Sequence, residues 1–292
     1  MKNMILRRQL SMRYLLYNPL SGKSNQSYEE ALRYSERTTM PTKLINLTSI
    51  YKVRDFFETL ESYEDVVIFG GDGSLNKIAN EIFAASIQND IYYYPCGTGN
   101  DFARDIGVTD TREPVLINDY IKNLPTVTVN GKQSKFINGV GFGIDGYCCE
   151  VGDRLKSQHQ NPNYTSIAIK GLLFHYKPVN AIVTVDGEEK CFKKVWIAPT
   201  MFGRYYGGGM MPTPEQDRNA EGKAVSLMVF HGSGKLKTLM IFPSLFKGTH
   251  TQQKKNVTIL RGKNITVDFD RPMSLQIDGE TMLNITRYNV SV

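Results

Sequence analysis

The chain has 292 residues, of which 41% are hydrophobic and 11% aromatic, and its formal net charge is +6. This apolar content excludes a disordered protein, and the length allows one large domain or two ordinary ones. The mildly basic balance suits anionic partners such as nucleotides or lipid headgroups. The four cysteines show neither a CxxC pair nor zinc-ligand spacing, which favours reduced thiols in a cytoplasmic protein. No apolar run approaches the ~20 residues of a membrane-spanning helix, so we expect a soluble protein, for which any membrane contact is peripheral.

Strands and helices alternate in the first part of the chain. Each predicted strand is a short apolar run, and the helix over 52–60 is indicated by apolar residues at i, i+3, i+4 and i+7. Such alternation is typical of a parallel, doubly wound sheet. The predicted strands cover 13–17, 43–47, 65–69 and 91–94, and helices are predicted at 27–37, at 52–60 and from Ser74 onwards.

Glycine-containing turns stand at three points of this region: 18–22 (NPLSG), 70–74 (GGDGS) and 97–101 (GTGND). Parallel α/β sheets bind ligands at the carboxyl ends of their strands, and glycine lets the backbone approach a phosphate closely. Asp72 and Asp101 offer the hard oxygen ligands that Mg²⁺ prefers. We therefore expect a nucleotide phosphate site. The alternative is that the turns are only tight strand-to-helix connections with polar caps.

Two better-known nucleotide motifs do not fit. Residues 21–24 (SGKS) lack the first glycine of a P-loop, because position 17 is Tyr17. Lys23 can then contact a phosphate or remain solvated. Residues 141–146 match G-x-G-x-x-G, but no crossover with an acidic residue about 20 positions further on follows them. We interpret these glycines as sites of close packing between domains.

The pattern changes to short strands separated by turns in the second part of the chain, which predicts an antiparallel sandwich. Asp186-Gly187 fits a hairpin turn, and helices are predicted at 165–176 and 235–246. The predicted fold class is therefore α/β plus β. It consists of a doubly wound nucleotide-binding domain at 1–127 and an antiparallel β-sandwich domain at 128–292.

Asp278-Gly279-Glu280 follows a predicted strand. Alone, this sequence is typical of a hairpin turn, and the alternative is a carboxylate that acts as a general base. The residues themselves do not decide between the two. The four histidines have no shared metal spacing and no GxSxG is present, so zinc and serine hydrolysis have no support.

The stretches 66–76 (VVIFGGDGSLN) and 95–104 (PCGTGNDFAR) resemble the diacylglycerol kinase catalytic domain family, which includes bacterial soluble lipid kinases and the sphingosine kinases. The GGDG element is shared with NAD kinases and phosphofructokinases, whereas GTGNDFAR is more specific to lipid kinases. The resemblance covers nearly the whole chain. Its further matches lie at 18–22, 136–143, 207–210, 248–250 and 278–280.

The resemblance implies a phosphotransferase that uses ATP and Mg²⁺, with an active site in a cleft between the two domains and a lipid alcohol such as diacylglycerol as substrate. Glu280 would deprotonate the lipid hydroxyl, and Asp101 and Asp72 would help to hold Mg²⁺. Transient peripheral contact with the inner face of the membrane is expected, and no nucleic acid partner. The residues implied to contact the nucleotide are Asn18, Ser21, Gly22, Lys23, Thr48, Gly70, Gly71, Asp72, Gly73, Ser74, Gly97, Thr98, Gly99 and Asn100.

The chain departs from its apparent relatives at two places. Many bacterial members have an acidic residue shortly before the Phe136-x-Asn138 element, where this chain has 127–130 (VTVN) without a carboxylate. Some members bind a structural Mg²⁺ in an acidic loop. Here the corresponding loop, 214–222, is longer and altered, and the carboxylates that it offers are Asp217 and Glu221.

Two other functions remain open. A kinase of a soluble alcohol such as NAD is disfavoured by the lipid-kinase stretch at 97–104. A non-catalytic nucleotide- or lipid-binding regulator is suggested by the missing interdomain carboxylate. The sequence identifies neither the lipid nor the oligomeric state, and an exposed edge strand that pairs two subunits in a homodimer remains an alternative.

Overall fold

The computed structural model describes residues 11–22, 25–83, 87–108 and 112–292. The chain divides into two compact units, Met1–Asn123 and Leu124–Val292, and each has its own sheet. Both sheets match the predicted fold class, an α/β unit followed by a unit of mainly antiparallel strands. Among the described residues, no helix is long and apolar enough to cross a membrane.

The first unit alternates strands and helices as expected. Its central strand is buried along almost its whole length, as parallel strands covered on both faces are. In chain order its elements are β1 (Arg13–Tyr17), α1 (Gln26–Arg37), β2 (Thr42–Asn46), a 3₁₀-helix (Leu47–Ser49), α2 (Val53–Glu58), β3 (Asp65–Gly70), α3 (Asp72–Ile82), β4 (Ile91–Pro95), α4 (Asp101–Asp105), β5 (Val115–Leu116) and α5 (Asn118–Ile121).

The strand order of this sheet is β2-β1-β3-β4-β5. Strands β1 to β4 are parallel, and β5 is an antiparallel edge strand that the sequence pattern did not predict. Tyr17 pairs with Phe69, and Gly70 pairs with Pro95. Because this register aligns the strand ends, the three glycine-containing turns leave the sheet side by side at its carboxyl edge.

The elements of the second unit are, in chain order, β6 (Thr126–Val129), β7 (Lys132–Lys135), β8 (Gly139–Gly143), α6 (Ile144–Ser157), α7 (Tyr164–Lys170), a π-helical segment (Gly171–His175), β9 (Val179–Val185), β10 (Glu188–Val195), β11 (Ile197–Met201), β12 (Val225–Phe230), α8 (Lys235–Ile241), two 3₁₀-helices (Phe242–Lys247 and Thr249–Gln252), β13 (Val257–Gly262), β14 (Asn264–Ile277) and β15 (Glu280–Ser291). The strands form a ten-stranded sheet with the order β13-β12-β11-β8-β14-β15-β6-β7, while β9 pairs with both β14 and β10.

Two hairpins of this unit turn through Asp-Gly pairs in which both residues have positive φ. The angles are 48° and 93° at Asp186-Gly187, and 46° and 93° at Asp278-Gly279. Such pairs are typical of the type I′ turn, whose twist matches that of the flanking strands. The hairpin predicted at Asp186 is therefore present, and Asp278-Gly279 also forms a hairpin turn.

Helix α6 is the largest element that the sequence pattern did not predict. It begins within the 141–146 glycine motif, and its glycines make close contacts inside the second unit. A Cβ on Gly146 would lie 1.9 Å from the carbonyl oxygen of Ser274, and one on Gly143 would lie 2.5 Å from that of Trp196. These close contacts of the glycine motif join residues of the second unit.

Candidate active site

The first and second glycine-containing turns are joined by side-chain hydrogen bonds. The Asn18 amide donates to Ser74 Oγ at 2.8 Å, and the backbone N–H of Gly71 donates to Ser21 Oγ at 2.8 Å. The Asn18 side chain also accepts from the backbone N–H of Leu20 at 3.0 Å, which closes its own turn. The two turns are therefore held together by the side chains of Asn18, Ser21 and Ser74, three residues that the sequence predicts in one site.

The second and third turns are joined by Asp72. Its two carboxylate oxygens accept hydrogen bonds from the backbone N–H groups of Asp101 at 3.0 Å and Phe102 at 2.9 Å. These N–H groups lie at the N-terminus of α4, the positive end of the helix dipole, so a carboxylate bound there is stabilised. Asp72 thus caps a helix that begins 29 residues further along the chain.

The third turn is closed by Asn100, which has the left-handed φ of 50°. Its side-chain oxygen accepts from the N–H of Gly97 at 2.9 Å, and its amide donates to the carbonyl of Gly97 at 2.8 Å. Thr98 lies exposed at the tip of this turn. Asn100 therefore shapes the turn through both of its polar atoms.

Several of the glycines are required by contacts between the turns themselves. A Cβ on Gly97 would lie 2.5 Å from the Cα of Gly71, and a Cβ on Gly70 would lie 2.7 Å from the Ser74 side chain. Gly22 has a φ of 74°, and a Cβ there would lie 2.5 Å from the carbonyl oxygen of Cys96. Gly22, Gly70 and Gly97 therefore allow the turns to pack closely, whatever the site binds.

Gly73 is different, because nothing in the protein requires it to be glycine. It lies exposed in the first turn of α3, its φ is not left-handed, and no atom stands within 4 Å of the position of a Cβ. Glycine in a helix costs about 0.5–1 kcal/mol relative to alanine. The open space beside Gly73, at a helix N-terminus, leaves room for a phosphate to approach the backbone.

The acidic residues of this site fit a magnesium ion shared with a ligand. Asp101 is buried, and its carboxylate lies 3.3 Å from the Arg104 guanidinium. No cluster of three or more His, Cys, Asp or Glu side chains that could hold a metal occurs in the described part of the chain. Mg²⁺ at nucleotide sites is usually held by one or two carboxylates together with substrate phosphates, which is what Asp101 and Asp72 can offer.

The remaining predicted nucleotide contacts lie at the same edge or outside the described residues. Thr48 is exposed on the 3₁₀-helix that follows β2, and its N–H and hydroxyl both donate to the Asn46 side chain. Lys23 lies outside the described residues.

Tyr93 is a residue of this region that sequence reasoning missed. It lies on β4 with its hydroxyl buried and without a hydrogen-bond partner. Burial, together with the negative charges of Asp72 and Asp101, raises the pKa of its phenol well above the ordinary value. The phenol is therefore neutral, and it lies close enough to both carboxylates for their charges to affect its pKa.

In the second unit, Asp278 anchors the hairpin that presents Glu280. The Asp278 carboxylate accepts backbone hydrogen bonds from Ile137 at 2.5 Å and from Asn138 and Gly139 at 2.9 Å. The 136–138 and 278–280 motifs are thus adjacent in space. Glu280 itself is exposed at the first position of β15, so a rigid turn carries an accessible carboxylate.

The same unit contains a buried carboxyl group, that of Asp145, which sequence reasoning did not select. Burial raises its pKa to about 6, opposed by hydrogen bonds from backbone N–H groups and from the Tyr206 side chain. The Tyr206 hydroxyl donates to it at 3.3 Å. A Cβ on Gly141 would lie 1.6 Å from this carboxylate, so the glycine motif makes room for it.

The altered loop at 214–222 is organised around a buried arginine. Arg218 donates to the Asn138 side chain at 3.3 Å, and its guanidinium stacks over Phe202. Asp217 and Glu221 are exposed, and an Asp217 oxygen accepts the N–H of Asn219 at 2.9 Å. The loop therefore directs the Arg218 guanidinium towards Asn138 of the 136–138 element.

Two family models match the chain. The diacylglycerol kinase catalytic domain matches residues 13–128, and the YegS C-terminal NAD kinase beta sandwich-like domain matches residues 138–289. Together the matches cover both compact units.

Individual proteins give the same result. A diacylglycerol kinase from Mycobacterium tuberculosis is 27% identical over 70% of this chain and 66% of its own length. One from Bacillus subtilis is 24% identical over 91% of this chain and 88% of its own. A crystal structure of a diacylglycerol kinase-like protein from Bacillus anthracis has a TM-score of 0.65 at 16% identity, covering 97% of this chain and 92% of that one, which shows the shared fold.

Proposed function

The chain belongs to the diacylglycerol kinase family of lipid kinases, and on that premise we propose that it transfers the γ-phosphoryl group of ATP to the hydroxyl of a lipid. The observation that carries the nucleotide part is Gly73. The protein keeps a glycine at a helix N-terminus where neither backbone conformation nor packing requires one. A phosphate that approaches the backbone gives that glycine a reason.

The first unit supplies the positioning. The turns at 18–22, 70–74 and 97–101 are held together by their own side chains, so their backbone donors are fixed before the nucleotide arrives. Phosphoryl transfer depends mostly on positioning and on electrostatic stabilisation, and preorganised donors serve both. Asp101 and Asp72 are the candidate ligands of Mg²⁺, which when bound neutralises charge on the phosphates.

The second unit supplies the base. A lipid alcohol is a poor nucleophile until its proton is removed, and a positioned carboxylate can accept that proton during attack. Glu280 is accessible, and the hairpin before it is fixed by three hydrogen bonds to Asp278. We assign the role of general base to Glu280 and a structural role to Asp278.

The test is incubation with γ-labelled ATP, Mg²⁺ and a panel of lipid alcohols: diacylglycerol, phosphatidylglycerol, a polyprenol and a sphingoid base. One of these lipids should acquire label. Glu280→Gln should then lower kcat by about 10²–10⁴-fold with ATP affinity unchanged. Glu189→Gln, at an exposed glutamate of β10, is the matched control.

Three results would contradict parts of this proposal. Label in NAD or another soluble alcohol would favour the soluble-alcohol kinase. Tight ATP binding without label in any acceptor would favour the non-catalytic regulator. Equal loss of turnover and ATP affinity in Glu280→Gln would refute the assignment of the base.

A further inference from the structure

An unusual apolar patch lies on the second unit, on α8 and the elements beside it. Leu236 and Met240 of α8 are 73% and 74% exposed, and Phe174 of the π-helical segment is 72% exposed. Phe246, on the 3₁₀-helix that follows α8, is 46% exposed. We call these four residues the apolar patch.

The elements that carry the four residues of the apolar patch lie next to one another. Leu236 and Met240 are four positions apart on a helix and share one face. The Lys235 ammonium donates to the carbonyl of Leu173 at 2.7 Å, which brings the start of α8 beside Phe174. The following 3₁₀-helix packs against α8.

Helix α8 has apolar side chains on its outer side as well as on its inner side, where Ile241 is buried. Thr238 is fully buried. Its hydroxyl is hydrogen-bonded to the Ser233 hydroxyl at 2.6 Å and to the carbonyl oxygen of Gly234 at 3.0 Å. Leu239 already packs against the core of the unit on the inner side. Core packing therefore does not explain the leucine and the methionine that face outward.

The surroundings of the patch are basic and contain no carboxylate in the sequence segments that carry it. Residues 154–185 have four Lys or Arg and no Asp or Glu, and residues 222–267 have eight and none. The positive net charge of the chain comes entirely from these two segments. The exposed lysines nearest to the patch in sequence are Lys170, Lys177, Lys235, Lys237 and Lys247.

We propose that the apolar patch and these five lysines form the surface by which the protein docks on an anionic lipid bilayer. Apolar side chains enter the headgroup–acyl boundary while lysines interact with anionic headgroups, and stable but reversible binding needs both contributions. Nucleic acid would match the lysines but leave Leu236, Met240 and Phe174 exposed. This role rests on the proposed function, since a lipid kinase must reach a substrate that is held in a membrane.

The test is flotation of the full chain with vesicles in the absence of ATP. Binding to vesicles with 30% phosphatidylglycerol should exceed binding to pure phosphatidylcholine. Leu236→Ser combined with Met240→Ser should weaken binding at least tenfold. Leu116→Ser, at an exposed leucine of β5, is the matched control and should bind like the wild type.

The charge contribution is tested separately. Lys237→Gln and Lys247→Gln should each weaken binding to anionic vesicles about fivefold, and high salt should remove the difference. Lys122→Gln, an exposed lysine of the first unit, should have no effect. Patch variants that bind vesicles like the wild type would overturn the proposal. It would also be overturned if these variants lost self-association or RNA binding instead of vesicle binding.

Failure of the docking surface and failure of the kinase assignment are distinguishable. Phosphorylation of the lipid in detergent micelles measures the chemistry, and flotation measures docking alone. The patch variants should keep wild-type activity in micelles and lose it on vesicles. Vesicle binding without lipid phosphorylation would leave the docking surface standing and refute the kinase.

Discussion

At the scale of single residues, the role of Gly73 can be separated into stability and ligand binding. Gly73→Ala should stabilise the unliganded protein by about 0.5–1 kcal/mol, since the helix gains a better residue without a clash. The same change should weaken ATP binding at least tenfold, because the methyl group fills the space kept for a phosphate. Urea unfolding and calorimetric titration with ATP measure the two effects.

Gly234→Ala is the control for that experiment. Gly234 also has an ordinary φ, an unobstructed Cβ position and a place at the start of a helix, but it lies in the second unit. Its ATP affinity should equal that of the wild type. Unchanged ATP affinity in Gly73→Ala would refute the proposal that a phosphate of the nucleotide binds beside Gly73.

Asp145 makes stability depend on pH. Its folded pKa of about 6 lies above the ordinary value of 3.8, so its stabilising contribution is present below about pH 4 and is lost as pH rises through 6. The loss is about 3 kcal/mol for a shift of this size. The Asp145→Asn variant should therefore gain stability over the wild type between pH 4 and 7. A difference in unfolding free energy that is flat with pH would contradict the raised pKa.

At the scale of elements, Asp72 connects α3 to α4 and should matter for stability apart from any ligand. Asp72→Ala leaves the N–H groups of Asp101 and Phe102 without their acceptor and should cost about 2 kcal/mol. Asp72→Asn keeps only one of the two acceptor oxygens and should recover at most about half of that loss. Urea unfolding without nucleotide measures both. Equal destabilisation by Ala and Asn would show that the charge matters more than the hydrogen bonds.

The same elements show what a sequence can predict. Strands β3 and β4 were predictable because parallel strands covered on both faces are short apolar runs, and glycine follows each of them closely. The glycine-containing turns were predictable as one site, since parallel strands end at one edge. That Asp72 caps α4 was not, because the contact joins two turns that only the folded register brings together.

Helix α6 was missed although its signal was present. Ile144, Tyr147, Val151 and Leu155 recur at helical spacing, and each packs on or within the core of the second unit. The glycine motif at its start favoured an interpretation as a loop. Asp145 was missed with it, since its burial depends on the absence of a Cβ at Gly141, a three-dimensional property.

At the scale of the whole molecule, the two compact units predict two unfolding transitions. Each unit has a hydrophobic core of its own, one around Leu15, Val67 and Phe69 and the other around Trp196 and Phe230. The single tryptophan, Trp196, is buried in the second unit, so its fluorescence reports that unit alone. Far-UV circular dichroism reports helices and strands of both units.

ATP should therefore act on only one of the two transitions. A ligand at 100 times its Kd stabilises the state that binds it by about 2.7 kcal/mol. If the nucleotide binds the glycine-containing turns, ATP with Mg²⁺ should raise the transition of the first unit in circular dichroism and leave the Trp196 transition in place. A lipid alcohol in micelles should act on the Trp196 transition instead, because Glu280 and its hairpin belong to the second unit. If ATP shifted the tryptophan transition alone, the nucleotide would have been assigned to the wrong unit.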